Sequence, residues 1–443
     1  MKVLNFFRFS SLLCAFIIFC SCGQASNKPT SNTDSVIQTP VPQESPIKTE
    51  INVWAANSGL DGIKLDFEIY YPNININITK FDSIEKFNSE CLSALSSGTG
   101  PDVFFFDSSF FGQYTVNGIL EDLLKEPYLA GRYEKDFPAD VWESNKSIDG
   151  KSLLAMTFLT SPCVTFYRED VMRENGFPSE PEEFGNFIEK PENLLAIAKK
   201  LKPKGQYIFQ WPTDLPNLLG SSIGIFDKDL KFLRNTDEFV RMLDIAKESH
   251  KSAFELEASF WDAAGEKAIQ DNKLVMLFNL GSWGSGSLQN YAPDQSGKWK
   301  ATKPPLGIYA WHSDTKIAIN AQSNNKKNAW KFVEFASTHQ NGGVNYDMVN
   351  GYKPARRNHR QMEARNSFLE QDVQPLFEEL ADKMKQYKLT PLDDAALLIF
   401  EKDISDATVK NPDSKAAIRN ISDKIESTLE EERKALLENS QTK

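Results

Sequence analysis

The first folded segment, 51–107, alternates strand-like and helix-like patterns, and this order permits few folds. Strands are predicted at 51–55, 74–78 and 102–107. Between them, apolar residues recur at helical spacing in two stripes, formed by Leu60, Ile63, Phe67 and Tyr70 and by Ile84, Phe87, Cys91, Leu92 and Leu95. Pro72 and Gly98 end these two stripes. The order strand, helix, strand, helix, strand predicts right-handed crossovers and a parallel sheet.

Side chains at the ends of these strands are the first candidates for a binding site, because parallel sheets bind ligands outside the carboxyl ends of their strands. Asn57 follows the first strand, and Asp107 and Ser108 follow the buried part of the third. Asp107 and Ser108 could form hydrogen bonds with ligand hydroxyl groups. Capping of the next helix explains these two residues equally well. Asn57, and Asn279 at the end of a later strand, are likewise candidates for ligand contacts, with a structural role as the alternative.

The rest of the chain continues the α/β pattern and then becomes helical. Further strands are predicted at 164–167, 207–210, 274–280 and 317–320. Helices are predicted at 194–201, 239–248, 264–272 and 329–336 and, beyond Gly351, at 376–387, 395–408 and 416–437. Chains longer than roughly 250–300 residues usually divide into domains, so the 443 residues predict two α/β lobes.

The first 50 residues lie outside the predicted fold. Two basic residues precede an apolar run that is too short to span a bilayer, which predicts a signal peptide over residues 1–21. The string Phe19-Cys20-Ser21-Cys22 resembles a bacterial lipobox, so we expect lipidation of Cys22; a plain signal peptide is the alternative. The segment 22–50 is rich in polar residues and proline, which predicts a disordered tether.

Composition and charge exclude some classes of protein. A chain with 40% hydrophobic and 25% charged residues is an ordinary globular protein. Its formal net charge of −11 argues against nucleic acid as a partner, because such binding depends on Lys and Arg that neutralise phosphates. Two cysteines, Cys91 and Cys163, lie in the folded part, where they form either one bridge or two buried thiols.

Several short strings follow one another in an order that is typical of one family. The most specific is Ser97-Gly98-Thr99-Gly100-Pro101-Asp102-Val103. The others are Ile51-Asn52-Val53-Trp54, Tyr71-Pro72, Phe166-Tyr167-Arg168-Glu169-Asp170, Lys273-Leu274-Val275-Met276, Gly281-Ser282-Trp283, Ile317-Ala318-Ile319 and Ala329-Trp330-Lys331-Phe332. From about Ile51 to Glu431, the chain resembles the extracellular solute-binding proteins of ABC importers, the family that contains maltose-binding protein.

This resemblance implies an α/β fold of the periplasmic-binding-protein kind, class II, in which two lobes joined by a hinge enclose a ligand cleft. One lobe would contain 51–160 and 315–350, and the other 161–314 and 351–443. The resemblance also implies a function: a monomeric, lipid-anchored receptor outside the cytoplasm that captures a carbohydrate, expected to be an oligosaccharide, and delivers it to the transmembrane subunits of an ABC permease. No cofactor or metal is expected.

Aromatic residues are the main candidates for carbohydrate contacts, because a sugar site needs flat rings and a few fixed hydrogen-bonding groups. The resemblance implies that Trp54, Trp211 and Trp283 face the ligand; ordinary packing is the alternative for each. The other five tryptophans are expected to be mainly scaffold: Trp142, Trp261, Trp299, Trp311 and Trp330. Of these, Trp142 and Trp261 could line the cleft. Tyr352 and Arg356 lie in a Gly-x-x-Pro string that the family carries near the cleft, and a plain surface charge is the alternative for Arg356.

Other functions remain as alternatives. The sequence contains no zinc-protease string and no nucleophile elbow, and adjacent carboxylates such as Asp393-Asp394 are expected by chance among 61. We therefore predict that the protein is not an enzyme. A receptor for a glycerophosphodiester would need Arg, Lys or helix N-termini in the cleft, and a polyamine receptor would need carboxylates with aromatic rings. A surface adhesin without transport is the third alternative.

Overall fold

The computed structural model describes residues 48–56, 60–116, 118–339, 347–356 and 365–441. Asn57 and Cys22 lie outside these residues, as do the predicted signal peptide and nearly all of the predicted tether. The strands are β1 (Thr49–Ala55), β2 (Ile74–Lys80), β3 (Val103–Asp107), β4 (Met156–Arg168), β5 (Met276–Gly281), β6 (Trp299–Thr302), β7 (Trp311–Ile319) and β8 (Val349–Asn350). They form a sheet in the order β2-β1-β3-β7-β4-β5, with β6 and β8 also paired to β4.

Helices connect and cover these strands. The longer ones are α1 (Asp61–Tyr70), α2 (Ile84–Ser97), α6 (Pro191–Leu201), α8 (Asp237–Ser252), α9 (Ala263–Gln270), α10 (Gly284–Tyr291), α11 (Lys326–Thr338), α12 (Gln374–Lys383), α13 (Asp393–Lys410), α14 (Ser414–Thr428) and α15 (Glu430–Gln441). Shorter ones are α3 (Ala139–Glu143), α4 (Glu169–Glu174), α5 (Pro181–Phe187) and α7 (Asp214–Gly220). Short stretches of 3-10 helix occur between them, of which the segment Ser108–Tyr114 matters most for the site.

The first five elements confirm the predicted crossover unit. β1 pairs in parallel with both β2 and β3. The side chain of Ser83 caps α2 by accepting a hydrogen bond from the backbone N–H of Lys86 at 3.1 Å. Gly98 ends the same helix with a φ of +72°, a left-handed conformation that glycine adopts without strain. The carboxyl end of β3 therefore lies where the sequence predicts it.

β4 organises the rest of the sheet. Its first half pairs antiparallel with β7 and β8, and its second half pairs antiparallel with β5 and β6. All of its 13 residues are buried. Only 164–167 were predicted as strand, because threonine, serine and Pro162 interrupt the apolar pattern of the first half. The pairing register shifts at three places along the strand, one of them between Ser161 and Pro162.

Four clusters of buried apolar side chains form the core. One joins the β1 region to α1 and α11, where the rings of Phe67 and Phe332 meet edge to face at 5.1 Å. A second lies around α2 and β3 and includes Phe104 and Phe106. The remaining two surround the second half of β4, one toward α6, α8, α13 and α14 and the other toward β6 and α12. The longer helices are thus held mainly by the apolar stripes that the sequence shows.

Two predicted elements are wrong. The segment 207–210 is not a strand; it makes only isolated bridges, from Tyr207 to Leu274 and from Phe209 to Glu255. The predicted helix over 416–437 is two helices, because the chain leaves helical geometry at Leu429, where φ is −104° and ψ is 18°. Leu429 itself is buried, so the apolar stripe continues across the break and hides it from a periodicity argument.

The two cysteines of the fold are buried free thiols. Cys91 packs beside Phe87 and Tyr114, and Cys163 belongs to the cluster around the second half of β4. Burial raises the pKa of Cys163 to about 12 and raises that of Cys91 still further. Among the described helices, none is both long enough and apolar enough to cross a bilayer.

Candidate functional site

A cavity of about 630 Å³ opens beside the carboxyl end of β3. The rest of its lining comes mainly from Trp283, which follows β5, from the start of β7, and from the segment 387–397, which leads into α13; Ile84 and Met348 also contribute. Cavities of 300–1,000 Å³ are the usual size for small-molecule sites. Because segments distant in sequence converge there, this cavity is the candidate binding site.

Asp107 and Ser108 lie at the β3 side of the cavity. Asp107 Oδ1 accepts hydrogen bonds from the backbone N–H of Ser109 at 3.0 Å and from its hydroxyl at 2.7 Å. Ser108 Oγ accepts from the backbone N–H of Asp314 at 3.0 Å. Burial raises the pKa of Asp107, and the negative charge of Asp314 adds to the rise. Asp107 therefore caps the 3-10 turn and lines the cavity at the same time, so the two interpretations of this residue are compatible.

An aromatic wall, formed by Trp283, Trp261 and His312, stands at one side of the cavity. The rings of Trp261 and Trp283 lie 5.5 Å apart, and His312 meets Trp283 edge to face at 5.1 Å. Trp283 and His312 line the cavity directly. Burial lowers the pKa of His312 to about 4, so its imidazole is neutral at pH 7. The wall therefore presents flat, uncharged rings to whatever occupies the cavity.

A buried ion pair lies under the β7 side of the cavity. Lys316 Nζ is 2.9 Å from Asp314 Oδ2, and both side chains are buried. The ammonium also donates to Ser144 Oγ and Asn145 Oδ1, each at 3.0 Å, and Gln386 Nε2 donates to Asp314 Oδ2 at 2.6 Å. Burial lowers the pKa of Lys316, and the Asp314 carboxylate counteracts this effect. Asp314 lines the cavity, whereas Lys316 lies behind it.

The segment 387–397 supplies a second buried carboxylate, Asp393, at the N-terminus of α13. Asp393 Oδ1 accepts a hydrogen bond from the Thr390 hydroxyl at 2.5 Å. Burial raises the pKa of Asp393 to about 7, although Thr390 and the positive charge of Arg234 act in the opposite direction. Tyr387 lines the same side, and its ring meets Trp311 edge to face at 5.5 Å.

The other predicted residues that the structure describes are not part of the cavity lining. Trp54 packs edge to face on Phe81 at 5.3 Å, Trp211 is 40% exposed, and Tyr352 packs against Tyr133 and Phe137. Asn279 donates to the backbone carbonyl of Asp214 at 2.7 Å. Arg356 is buried; it donates to the carbonyl of Asn350 at 2.7 Å and pairs with Asp382 at 2.8 Å. Of the predicted residues that the structure describes, it brings together Asp107, Ser108 and Trp283.

Several cavity residues were not predicted from the sequence: Trp311, His312, Asp314, Tyr387 and Asp393. Trp311 was expected to be scaffold, and Asp393 was discounted as one of a chance pair. A possible signal was the position of Trp311, His312 and Asp314 just before a predicted strand, where an aromatic and polar mixture is unusual for a buried edge. Their approach to segment 387–397 is a tertiary contact that local pattern cannot reveal.

Comparison with known proteins shows the family of this chain. The profile described as bacterial extracellular solute-binding protein matches residues 66–368, about two thirds of the chain. The chain belongs to that family. Membership places the protein outside the cytoplasm among the binding proteins of transporters, and it confirms the resemblance that the sequence strings indicated.

Solved structures with similar folds are known, all at low sequence identity. The galacto-N-biose-/lacto-N-biose I-binding protein of Bifidobacterium longum, in complex with lacto-N-biose, has a TM-score of 0.70 and 17% identity, covering 88% of this chain and 98% of that one. The sugar-binding protein MalE of Xanthomonas citri has a TM-score of 0.70 and 16% identity, with coverage of 87% and 98%. An ABC substrate-binding protein of Listeria monocytogenes in complex with cycloalternan has a TM-score of 0.64 and 20% identity, with coverage of 86% and 99%. The fold is therefore the MalE-like periplasmic-binding-protein fold.

Within the described part of the chain, no group of three or more His, Cys, Asp or Glu side chains is arranged to hold a metal ion. The cavity lining instead combines aromatic rings, hydroxyl groups and carboxylates. Such a set suits a polar organic ligand that has both an apolar face and hydrogen-bonding groups.

Proposed function

We propose that this protein is the substrate-binding component of an ABC importer and that it captures an oligosaccharide in the cavity beside β3. The observation that carries this proposal is that one cavity is lined both by the rings of Trp283 and His312, with Trp261 packed on Trp283, and by hydrogen-bonding groups that include Asp107. Pyranose rings have apolar C–H faces and a rim of hydroxyl groups, so they match an aromatic surface bordered by polar side chains.

The nature of the related proteins supports a carbohydrate over the other solutes. The structural neighbours from Bifidobacterium longum and Listeria monocytogenes are complexes with lacto-N-biose and cycloalternan, both of them saccharides. A glycerophosphodiester is less suited to this cavity, because none of the described residues that line it is Lys or Arg. The family is one of binding proteins, and we propose that no reaction takes place on this chain either.

We propose further that ligand binding closes two lobes. The boundaries would be those expected from the sequence: 51–160 with 315–350, and 161–314 with 351–443. In support, β4 changes its partners from β7 to β5 and β6 close to Ser161. A ligand that contacts both lobes would favour the closed form by its differential affinity, and the permease would recognise that form.

Anchoring completes the proposed function. The lipobox-like string predicts that acylated Cys22 holds the protein at the membrane and that segment 22–50 lets it reach the permease. We expect the Cys22→Ala variant to be released from membranes into the soluble extracytoplasmic fraction, while the wild-type protein partitions into detergent. Equal partitioning of the two proteins would contradict the anchor and leave the binding function standing.

Thermal-shift measurements over a panel of oligosaccharides test the binding function. A saccharide present at 100 times its dissociation constant stabilises the native state by about 2.7 kcal/mol. The Trp283→Ala variant should bind that saccharide about 10–100-fold more weakly, since loss of one buried aromatic contact costs roughly 1–3 kcal/mol. Trp211→Ala, which removes an exposed ring outside the cavity lining, should change affinity much less.

The outcomes separate the candidate functions. A surface adhesin would show no shift with any small molecule. If no oligosaccharide shifts the melting temperature, or if Trp211→Ala weakens binding more than Trp283→Ala does, the proposed site is wrong. Mass spectrometry of ligand that copurifies with the protein would identify the saccharide directly.

A further inference from the structure

The cavity is strongly acidic. Four aspartates line it, Asp107, Asp314, Asp393 and Asp394, and among the described lining residues there is no Lys or Arg. Its histidine, His312, is neutral at pH 7 because burial lowers its pKa to about 4. A neutral sugar can be held by one or two carboxylates that accept hydrogen bonds from hydroxyl groups. Four carboxylates around one cavity exceed that requirement and call for a specific explanation.

Two of the four carboxylates are compensated from behind the cavity wall. Lys316 pairs with Asp314 at 2.9 Å, and Arg234 acts on Asp393 from beyond salt-bridge distance. Asp107 and Asp394 differ, because within the described residues neither has a Lys, Arg or His nitrogen within 4.0 Å. The printed partners of Asp107 are the N–H and hydroxyl of Ser109, and Gln113 Nε2 donates to Asp394 at 3.2 Å. The uncompensated charge therefore lies on the cavity side.

Unsatisfied oxygens point the same way. Asp393 is 4% exposed and Asp314 1% exposed, yet Oδ2 of Asp393 and Oδ1 of Asp314 have no hydrogen-bond partner in the part of the chain that the structure describes. Buried carboxylate oxygens are normally hydrogen-bonded, because an unpaired one has lost its water without replacement. Both residues belong to the cavity wall, but these two oxygens are enclosed by protein atoms, so they add to the negative potential of the wall without contacting a ligand.

One buried donor in the same wall is also unpaired. Trp311 Nε1–H has no acceptor among the described residues, and Trp311 lines the cavity. This nitrogen is enclosed by protein atoms, so a ligand does not have to supply its acceptor. The cavity lining itself offers a ligand carboxylates and the ring of Trp283. A linear polyamine has no ring face to place on Trp283, whereas a saccharide that carries an amine has both an ammonium for the carboxylates and an apolar C–H face for the ring.

We propose that the cavity takes a saccharide with at least one free, protonated amino group, whose ammonium is held by Asp107 and the neighbouring carboxylates while its ring faces Trp283. This inference rests on the proposed function and narrows its substrate class. Charge-assisted hydrogen bonds are about twice as strong as neutral ones, so an ammonium gains more from these carboxylates than a hydroxyl group does. The raised pKa values of Asp107 and Asp393 agree with carboxylates that lack a direct cationic partner.

Calorimetric titration of the purified exported protein with matched disaccharides tests this inference. Chitobiose, its N,N′-diacetyl derivative and cellobiose share one β-1,4 skeleton and differ at C2; trehalosamine and trehalose form an α-linked pair. Within at least one set, the amino sugar should bind at least about tenfold more tightly than its neutral counterparts. That preference should shrink when salt rises from 0.05 M to 0.5 M, because screening weakens the ionic part of binding.

A charge-removing variant supplies the second measurement. Asp107→Asn keeps the oxygen that accepts from Ser109 but loses the charge, so the preference for the amino sugar should fall several-fold. Asp229→Asn removes the same charge from an exposed residue outside the cavity lining and should leave the preference intact.

Each alternative result has a distinct meaning. If a neutral disaccharide binds as tightly as the amino sugar, or if Asp107→Asn leaves the preference unchanged, the inference is overturned and the proposed function stands. If spermidine binds and no saccharide does, or if no compound of the panel binds, the inference fails together with the carbohydrate function.

Discussion

Asp314 and Asp393 are two buried carboxylates in the wall of the same cavity, and they are stabilised in different ways. Asp314 has an ammonium at 2.9 Å and an amide donor at 2.6 Å. Asp393 has a single hydroxyl donor from Thr390 and a more distant guanidinium. The first carboxylate is held as part of a fixed ion pair, whereas burial raises the pKa of the second to about 7. One of the two carboxylates thus has a direct counter-ion, and the charge of the other depends on pH near neutrality.

The largest expected effect comes from breaking the fixed pair. Lys316→Met leaves Asp314 buried without its counter-ion, and removal of one partner of a buried pair costs about 3–5 kcal/mol. Urea unfolding at pH 7 should show a correspondingly lower free energy of unfolding.

An exposed pair is the control for this effect. Lys80 and Asp61 lie 2.7 Å apart, with 42% and 68% of their side chains exposed, so Lys80→Met should cost no more than about 1 kcal/mol. If the two methionine substitutions lowered the free energy of unfolding equally, the buried Lys316–Asp314 pair would contribute no more to stability than the exposed pair does.

The next largest effect is the variation of stability with pH that comes from Asp393. The folded-state pKa of about 7 exceeds the unfolded value of about 4, so the folded protein binds more protons between these limits. Stability from this group is therefore lost as pH rises from about 4 to 7. Asp393→Asn removes the loss, and its stability relative to the wild-type protein should increase by at most about 4 kcal/mol across this window.

Chemical unfolding at several pH values between 4 and 8 measures the difference between the two proteins. The exposed Asp423 is the control, and Asp423→Asn should give a difference that does not vary with pH. A constant difference for Asp393→Asn as well would show that burial does not raise the pKa of Asp393.

The smallest effect comes from the hydroxyl that supports Asp393. Thr390→Val deletes the donor to the carboxylate, which should cost about 1–2 kcal/mol at pH 7 and raise the pKa of Asp393 further. The pH-dependent loss of stability should then extend to higher pH. Thr165→Val is the matched control and should cost much less, because the buried hydroxyl of Thr165 has no hydrogen-bond partner among the described residues. If the two substitutions lowered the free energy of unfolding equally, the Thr390 hydroxyl would not stabilise the Asp393 carboxylate.

The sequence predicts the fold best where local rules determine it. Isoleucine alternation marks β2, the apolar stripes mark α1 and α2, and Gly98 ends α2 by its freedom at positive φ. The sequence does not predict the first half of β4, because its polar residues are buried by β7 and β8, which is a tertiary effect. Segment 207–210 has strand-like composition, but it lacks a neighbouring strand along its length.

The same distinction between local rules and tertiary contacts applies to the residues of the candidate site. Asp107 and Ser108 were predicted because the carboxyl end of a parallel strand is a local feature, and Trp283 because it follows β5 in a string shared with the family. Asp314 and Asp393 are 79 positions apart in the numbering, and only the folded chain brings β7 and segment 387–397 to one cavity. Their different pKa behaviour depends on partners such as Lys316 and Arg234, which no motif connects to them.

The two buried thiols have a practical consequence for following how this protein opens. Alkylating reagents attack the thiolate and need access to it, and burial denies both to Cys91 and Cys163 in the native state. Each would therefore be modified only when its own surroundings unfold transiently. Cys91 packs beside β3, whereas Cys163 lies within β4 itself. Their separate modification rates would therefore report how often each of these two regions of the molecule opens.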